Sequence, residues 1–529
     1  METSSASTAS TPFERLCSVD DVVRRHLLPF LTHRDSSRVG SVSRTLRAQF
    51  QSDPCWKVLC NRDYGYGDVF VSGGEGEGGD GAAAASNSSA LTDEERLDAA
   101  AVPMAPVCRA LPGEGRQRVF FDALETFDSW KTAYEKWSFW NNWTAGGSKA
   151  SHMVLVVMLW QRLKAVLQRH GLSNIVESLS PCIDREYFQE LVKNYRVPSS
   201  LVAFYSVHGG QEMLTPRSPD GEFFAGLFGS YTCYNNFYSM RLMRVEGFYD
   251  ENDRNNRFGA IIDRGDGLIV VAVSPGNPRV YLALLPSAED PEGSVIMGGR
   301  GGPVVCRGGI LPYLQSYVEN LENGVFKPVQ LIPEVPASLG IGLFPDAGDS
   351  VSRCVTAGIE VRASARWFPG GAMDQMHGLN FGYSIRIRMV EEGENNDGAD
   401  ADGGESAATT PSTCQLVGRH WEFMDGNGAV RRVNGDGVIG KQPLFYREDD
   451  GTTGFVDLGV AGDGNQYPHK VFVYESQSGP VAGTSFEDTG RAQVQGSFSF
   501  IPGSIENPAG PMFHVTVATF PLKIPHPFY

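Results

Sequence analysis

The hydrophobic pattern of this 529-residue chain changes its period near Ala357. From there on, apolar and polar residues alternate or nearly alternate, which is the pattern of half-buried β-strands, since successive side chains point to opposite faces. Asp425-Gly426 and Asn427-Gly428 predict a tight hairpin turn. Strands without an intervening helix predict a β-sandwich. The alternating segments are GIEVRASARWF (358–368), FGYSIRIRMV (381–390), QLVGRHWEF (415–423), KVFVYES (470–476), QVQGSFSFI (493–501) and FHVTVATF (513–520).

Ahead of this region, apolar residues recur at helical spacing. Residues 19–31, 38–50 and 55–60 predict three short helices at the N-terminus. Trp130, Tyr134 and Trp137 lie on one face of a later pattern. Another helix is predicted over 154–170, because Gly171 is a good C-terminal cap. Strand-like runs at 259–263 and 268–273 and a helical pattern at 311–320 complete an α+β region.

Two segments have too little apolar content to order themselves, residues 72–89 and 391–413. The first follows the helical head and is interpreted as an interdomain linker that sets the reach between the two ends. The second interrupts two strand patterns and is interpreted as an expanded loop. The predicted divisions are a helical head over 13–66, a flexible acidic and glycine-rich linker over 67–115, an α+β domain over 116–330 and an all-β domain over 350–529.

Charge and cysteine content limit the kinds of partner and bound group that the chain is expected to have. A net charge of −17 without a clustered basic stretch disfavours nucleic-acid binding. Nine cysteines without a C-x-x-C pair fit neither a disulfide framework nor a structural zinc site. The N-terminus has no secretory pattern, and the longest apolar run, 153–160, is too short to cross a bilayer. We expect a soluble protein of the cytoplasm or nucleus, with no membrane, metal or cofactor.

The stretch NGDGVIGKQP (434–443) satisfies a G-x-G-x-x-G pattern through Gly435, Gly437 and Gly440. A nucleotide site of this kind needs a helix after the loop, whose N-terminus faces the phosphate. Pro443 comes too soon for such a helix, and Gln442 stands where a P-loop needs Ser or Thr. The pattern also fails as a calcium loop. A loop joining two strands is the favoured interpretation.

In its wider context, CQLVGRHWEFMDGNGAVRRVNGDGVIGKQP (414–443), preceded by FGYSIRIRMV, resembles the ApaG domain. The resemblance covers about residues 358–525 and implies a fibronectin-type-III-like sandwich. It makes the glycines a candidate ligand loop for pyrophosphate or peptide. The residues of this candidate site are Gly435, Gly437, Gly440, Arg419 and Trp421.

The head resembles the F-box, a three-helix motif that docks onto a Skp-type adaptor, in HLLPFLTHRD (26–35), VSRTL (42–46) and DPCWKVLC (53–60). The apolar residues of segment 26–35 are too many for one short helix to bury. This favours an intermolecular interface over an isolated core. The chain departs from the motif at Val19, Pro29 and Ser36. The resemblance implies adaptor contacts by Leu27, Leu28, Phe30, Leu31, Val42, Leu46 and Trp56.

The middle region resembles the SUKH (Smi/Knr-like) superfamily in VPSSLVAFYSVHGGQE (197–212), GLFGSYTCYNN (226–236) and YLQSYVENLENGVF (313–326). The order F-box, SUKH, ApaG is similar to that of F-box-only proteins with an ApaG tail. That resemblance implies a substrate receptor of a Skp–cullin–F-box ubiquitin ligase. Its partners would be the Skp-type adaptor, the cullin scaffold and an unknown protein substrate.

No complete catalytic constellation is present in the sequence, which lacks H-E-x-x-H and G-x-S-x-G. His208 and His420 are interpreted as structural or surface groups, and Arg419 and Trp421 are expected to share a strand face. A non-catalytic subunit is therefore expected. Two alternatives stay open: a protein-binding scaffold outside any ligase, and a nucleotide- or pyrophosphate-binding protein that uses the Gly435 loop.

Overall fold

A computed structural model defines the fold. The predicted helix over 19–31, nearly all of that over 38–50 and the predicted strand over 259–263 lie outside the described residues, as do the segments 72–89 and 392–410. The structure describes residues 47–48, 52–65, 103–110, 118–181, 183–186, 189, 193, 197–212, 225–233, 236–244, 269–274, 280–297, 304–331, 338–367, 378–391, 411–457, 470–485 and 488–523.

The helix ends follow from local capping. Pro54 lies in the first turn of α1, and Gly65, with a φ of 65°, ends the helix. Ser129 caps α2, because its Oγ accepts a hydrogen bond from the backbone N–H of Thr132 at 3.3 Å. Gly171 has a φ of 73° just beyond α3, which confirms its predicted capping role. The helices described here are α1 (Asp53–Tyr64), α2 (Trp130–Trp143), α3 (Ala150–Arg169), α4 (Ser173–Glu177), α5 (Ser199–Val207) and α6 (Ile310–Glu322).

Helix α3 is the core helix of the middle region. It packs against α4, α5 and α6, and its Trp160 stacks on Phe204 of α5 with ring centroids 5.0 Å apart. Among the described helices, only α3 is long and apolar enough to cross a membrane, yet 61% of its apolar window is buried inside the fold. A buried core helix meets the same criteria, and the packing of α3 is of that kind.

The strands of the middle region form several small sheets, so the region combines helices and sheets as predicted. Pairs β1–β4 and β5–β7 and the three-stranded β2–β3–β6 lie near α2 and α3 in sequence, followed by a five-stranded sheet β10–β11–β12–β13–β14 and a four-stranded sheet β15–β16–β8–β9. The bounds are β1 (Met104–Pro106), β2 (Arg109–Ala110), β3 (Arg118–Phe120), β4 (Leu124–Thr126), β5 (Leu179–Ser180), β6 (Ile183–Asp184), β7 (Gly210–Gln211), β8 (Ser230–Cys233), β9 (Asn236–Ser239), β10 (Arg241–Leu242), β11 (Ile269–Ser274), β12 (Val280–Leu285), β13 (Ser294–Met297), β14 (Val304–Cys306), β15 (Lys327–Gln330) and β16 (Leu339–Gly342).

The C-terminal region forms two antiparallel sheets, and every alternating segment predicted from the sequence is a strand. One sheet has the order β17–β18–β19–β24; the other has the order β23–β22–β20–β25–β26, with β21 paired to β20. The predicted turn at 425–428 is present, since the N–H of Gly428 donates to the carbonyl of Asp425 at 3.0 Å. The bounds are β17 (Val351–Thr356), β18 (Ile359–Trp367), β19 (Leu379–Met389), β20 (Thr413–Met424), β21 (Val430–Asp436), β22 (Leu444–Arg447), β23 (Thr453–Val456), β24 (Phe472–Val481), β25 (Gln493–Pro502) and β26 (Phe513–Pro521).

Aromatic side chains fill the space between these two sheets. Trp421 of β20 is 2% exposed, and its ring lies 5.9 Å from that of Tyr383 on the opposite sheet. The edges of the two sheets are linked as well. The N–H of Thr516 donates to Oγ1 of Thr356 at 3.2 Å, which ties β26 to β17.

Candidate functional site

Helix α1, the last predicted helix of the F-box-like head, packs on α2 through aromatic rings. The ring of Tyr134 on α2 lies 5.0 Å from the rings of both Trp56 and Tyr64 on α1, and Trp137 stacks 6.4 Å from Tyr64. We call this contact the aromatic seam. Its members are Asp53, Trp56, Cys60, Asp63 and Tyr64 of α1 with Trp130, Tyr134 and Trp137 of α2.

Two carboxylates of α1 fix the position of α1 relative to α2 in the aromatic seam. Asp53 accepts a hydrogen bond from the backbone N–H of Trp130 at 2.7 Å, and Asp63 accepts one from the hydroxyl of Tyr134 at 2.7 Å. Burial raises the pKa of the Tyr134 hydroxyl, and its hydrogen bond to Asp63 raises it further. The hydroxyl therefore stays protonated and keeps donating to Asp63. Such directed bonds fix how two apolar helix faces meet.

Trp56 is the only predicted adaptor contact among the described residues. Its side chain is half-buried against Tyr134, and its indole N–H has no hydrogen-bond partner within the part of the chain that the structure describes. The adaptor surface stays a prediction. Outside the described residues lie the other predicted contacts: Leu27, Leu28, Phe30, Leu31, Val42 and Leu46.

The glycine loop joins β21 to β22, as the sequence interpretation favoured, and no helix follows it. Gly435 is the penultimate residue of β21, whereas Gly437 and Gly440 have φ values of 55° and 77°. The backbone of Val438 and Lys441 closes a tight turn with two hydrogen bonds of 2.9 and 2.8 Å. Gly437 and Gly440 thus serve the chain reversal, whereas Gly435 is a strand residue.

The loop presents carbonyl oxygens to Arg419, which is the wrong kind of backbone group for binding phosphate. The contact involves the side chain of Arg419. Its guanidinium donates to the carbonyls of Gly437 at 2.6 Å and Asp436 at 3.3 Å. Phosphate-binding loops aim backbone N–H groups at their ligand, but the N–H of Gly437 donates to the carbonyl of Val417 at 2.7 Å. Lys441 pairs with an aspartate at 2.7 Å. The ligand role of the loop stays a prediction that this geometry does not favour.

Trp421 lies on the same strand as Arg419 but deeper in the sandwich. Strand pairing puts Arg419 opposite Phe498, a core residue, and alternation then puts Trp421 on the same inward face. The prediction of a shared face is therefore confirmed. Trp421 contacts core aromatic rings, including Phe498 at 5.5 Å. It is a packing residue of the sandwich.

The two singled-out histidines occupy structural positions. His208 is buried, its Nδ1 lies 3.3 Å from the carbonyl of Ser180, and burial together with the nearby Lys164 charge lowers its pKa to about 3. It is therefore neutral at physiological pH. His420 is exposed on the outer face of β20, where its Nε2 lies 2.9 Å from Oγ of Ser499. Neither geometry is that of a general base beside a substrate cavity.

A serine, histidine and glutamate cluster that the sequence interpretation missed lies at the start of α5. Nδ1 of His152 is 2.8 Å from Oγ of Ser199 and 3.8 Å from Oε1 of Glu292. A catalytic relay uses the two different ring nitrogens, whereas here one nitrogen faces both partners. Glu292 also accepts from the N–H of Ser200 at 2.9 Å, so the cluster caps the helix. No local pattern could reveal it, because His152 and Glu292 are far apart in sequence.

A second contact joins the C-terminal sandwich to the middle region. Arg366 of β18, 1% exposed, places its guanidinium 4.0 Å from the ring centre of Tyr231. Arg386 of β19 donates to the carbonyls of Phe344 at 3.1 Å and Pro345 at 3.0 Å. We call this contact the arginine seam. Its members are Arg362, Ser364, Arg366 and Arg386 with Tyr231, Phe344, Pro345 and Asp346.

Asp346 provides the counter-charge of the arginine seam. Its carboxylate lies 3.3 Å from Arg386 and 3.3 Å from Arg362, and it also pairs with Lys327. Burial lowers the pKa of Arg386, and Asp346 opposes this effect. The alternation of arginine in SIRIRM indicates that Arg386 and Arg388 share a sheet face, but it does not indicate the contact with the middle region. Within the described ranges, no group of three or more His, Cys, Asp or Glu side chains is placed to hold a metal ion.

Comparison with known proteins identifies a relative over most of the chain and a family model for part of its C-terminal region. The family model of the ApaG domain matches residues 373–450. The F-box protein SKIP16 of Arabidopsis thaliana is 28% identical over 364 residues, which cover 65% of this chain and 72% of that protein. The chain is distantly homologous to SKIP16 over most of its length. It carries a C-terminal ApaG domain.

Bacterial proteins match about a third of the chain. Protein ApaG of Brucella anthropi is 28% identical over 173 residues, 33% of this chain and 93% of that protein. A crystal structure assigned to the ApaA protein of Bordetella pertussis is 20% identical and covers 31% of this chain and 93% of its own, with a TM-score of 0.20.

Proposed function

We propose that this chain is a substrate receptor of a Skp–cullin–F-box ubiquitin ligase, with no catalytic role of its own. The observation that carries the proposal is the similarity to the F-box protein SKIP16, which extends over most of the chain; the ApaG domain match at residues 373–450 stands beside it. The head would bind the Skp-type adaptor and, through it, the cullin. The middle region and the sandwich would bind the target protein.

The middle region is proposed to be a SUKH-like domain on the basis of its sequence. Its segment 197–212 forms α5 and β7, and α5 packs against the core helix α3. The resulting body combines sheets with buried helices. We propose that it works in the cytoplasm or nucleus.

The two seams suggest how such a receptor would act. The aromatic seam holds α1 to the middle region, and the arginine seam holds the sandwich to that same region. A target bound to the body would then stay at a set position relative to the adaptor. Ubiquitin transfer would gain from proximity, because a bimolecular encounter becomes a local one.

The proposal is tested by co-purification of a Skp-type adaptor with the full chain. We expect stoichiometric capture by the natural sequence and its loss in a Leu28→Asp, Phe30→Asp variant. A matched control is Leu155→Asp, since Leu155 is an exposed leucine of α3, 37% exposed, outside the predicted adaptor surface. Circular dichroism and thermal unfolding verify that each variant is folded.

Failure of the well-folded natural sequence to capture any Skp-type adaptor would contradict the receptor proposal. The departures at Val19, Pro29 and Ser36 would then mark an F-box without adaptor affinity. A protein-binding scaffold outside any ligase would be the remaining account. Loss of capture in the Leu155→Asp control would place the adaptor elsewhere on the chain.

A further inference from the structure

One face of the sheet β17–β18–β19–β24 carries a concentration of arginines. Strand pairing sets Arg353, Arg362 and Arg386 side by side in one row and Glu360 beside Arg388 in the next. The middle region covers this face at Arg386 through the arginine seam. We call the adjoining part, Arg353, Glu360, Arg362 and Arg388, the basic face; Arg362 belongs to both.

Glu360 lies at the centre of the basic face, and three guanidiniums share its carboxylate. Its side chain is 2% exposed, and Oε2 lies 2.6 Å from Nη2 of Arg353. Oε1 lies 3.0 Å from Nε of Arg362 and 3.1 Å from Nε of Arg388. Burial raises the pKa of Glu360, but the hydrogen bonds from Arg388 and Arg353 outweigh burial and lower it to about 2. The glutamate is therefore charged at every physiological pH.

This sharing leaves an excess of positive charge on the basic face. Elsewhere on the described surface an exposed arginine can have a carboxylate to itself, as Arg432 does with Glu422 at 2.7 Å. Asp346, at the border of the basic face, is likewise shared by two arginines and a lysine. Glu475 is a further carboxylate near Arg386. Among the described residues of this face, cations still outnumber anions, in a chain with a net charge of −17.

The charge excess is accessible and has apolar residues beside it. The side chain of Arg353 is 44% exposed. Val355, paired across strands with Glu360, is 39% exposed, and Val473, paired with Arg386, is 49% exposed. Paired residues share a sheet face, so both valines border the arginines. An exposed surface that combines arginines with aliphatic side chains has the composition of a protein-binding patch.

We infer that the basic face docks an extended, acidic segment of a partner protein, one that alternates carboxylates with aliphatic side chains. Carboxylates of the segment would meet the outer N–H groups of Arg353 and its neighbours, because guanidinium is suited to paired recognition of carboxylate. Its aliphatic side chains would cover Val355 and Val473. The buried Glu360 would hold the arginines in place without neutralising them.

This inference deepens the proposed function, since it names the kind of target segment that the receptor would take. The two can fail separately. Peptide binding is measured without the adaptor, and adaptor capture is measured without the peptide. A chain that binds the adaptor but no acidic peptide would refute the inference and leave the proposed function standing.

The test is fluorescence anisotropy of a labelled eight-residue peptide of alternating glutamate and valine, titrated with the full chain. The control peptide has glutamine in place of glutamate. The titrations are repeated with a full-length variant whose acidic residues in 392–410 are changed to amides, so that the chain's own acidic stretch cannot hide binding. We expect saturable binding of the acidic peptide that weakens as salt is raised.

Matched variants locate the binding. Arg353→Glu is expected to weaken it about tenfold, since it removes an attraction and adds a repulsion. Arg432→Glu, on the other sheet, is expected to leave it unchanged. Glu360→Gln is expected to strengthen it, because the same arginines then lack their counter-charge. A purely structural role of the cluster would not produce opposite signs for Arg353→Glu and Glu360→Gln.

The inference is overturned if neither chain binds the acidic peptide, or if the glutamine peptide binds as well. Equal binding by Arg353→Glu and the natural sequence would also overturn it. Thermal unfolding of each variant shows whether it is folded, and Arg353→Gln is a milder variant if Arg353→Glu unfolds. Binding that Arg353→Gln weakens and Arg432→Glu does not supports the basic face.

Discussion

The aromatic seam and the arginine seam attach two different elements to the same middle region by different forces. In the first, the rings of Trp56 and Tyr64 each lie 5.0 Å from that of Tyr134, and two aspartates fix how the helices meet. In the second, buried guanidiniums of Arg366 and Arg386 meet a ring, backbone carbonyls and Asp346. The stabilisation gained by burying aromatic rings depends little on salt or pH, whereas the stabilisation from ion pairs depends on both.

This difference predicts that the attachments of the two ends of the molecule respond differently to salt and pH. The head should stay attached under conditions that weaken charge pairs. The sandwich should loosen first when carboxylates of its arginine-rich sheet face are protonated, because the arginines would then be buried or crowded without counter-charges. The contrast is open to direct tests on each seam.

The largest loss of stability is expected from Trp137→Ala in the aromatic seam. Trp137 is fully buried, stacks near Tyr64, and donates from its indole N–H to the carbonyl of Met104 at 2.7 Å. Its loss opens a large cavity, and we expect destabilisation of about 4 kcal/mol. Urea unfolding of the full chain measures it. Phe139→Ala, on the same helix but 47% exposed, is the control; equal losses for both variants would contradict the seam.

Protonation of Glu360 at low pH is expected to lower the free energy of unfolding by about 3 kcal/mol. Its folded-state pKa is lowered to about 2, below the ordinary value, so its stabilisation is complete above about pH 5. As pH falls toward 2, this stabilisation is lost. Unfolding measured between pH 7 and 2 should show it for the natural sequence. A Glu360→Gln variant should lack this part of the pH dependence, and an unchanged profile would refute the assignment.

The smallest effect is expected from Tyr134→Phe, which keeps the ring and removes the hydroxyl that donates to Asp63. We expect a loss of about 1 kcal/mol, the usual value for one such hydrogen bond. A double-mutant cycle with Asp63→Asn isolates the interaction. If the two changes are additive, the hydroxyl and the carboxylate do not stabilise the seam together.

Local patterns predicted the elements of this fold well where a single period ran for many residues. Six of the ten C-terminal strands followed from alternation alone, and the end of α3 followed from Gly171. The short strands of the middle region were not predictable in this way. Pairs such as Leu179–Ser180 with Gly210–Gln211 are too short to carry a period and are held by their neighbours.

The contacts between regions were beyond any local pattern. Asp63 and Tyr134, on either side of residues 72–89, hydrogen-bond at 2.7 Å. Side chains that meet across 71 positions leave no periodic trace in the sequence. Arg419 shows the reverse case, since its inward direction was predictable but its use in binding loop carbonyls was not.

The central claim is that the aromatic seam, and not the connecting segment, holds the end of the head to the body. The most direct measurement introduces a specific protease site within 72–89 of the full chain, cleaves it, and follows both fragments by gel filtration. We predict that the fragment containing α1 elutes with the remainder, and that the same cleavage of a folded Trp137→Ala variant releases it. Separation of the fragments in the natural sequence would contradict the claim.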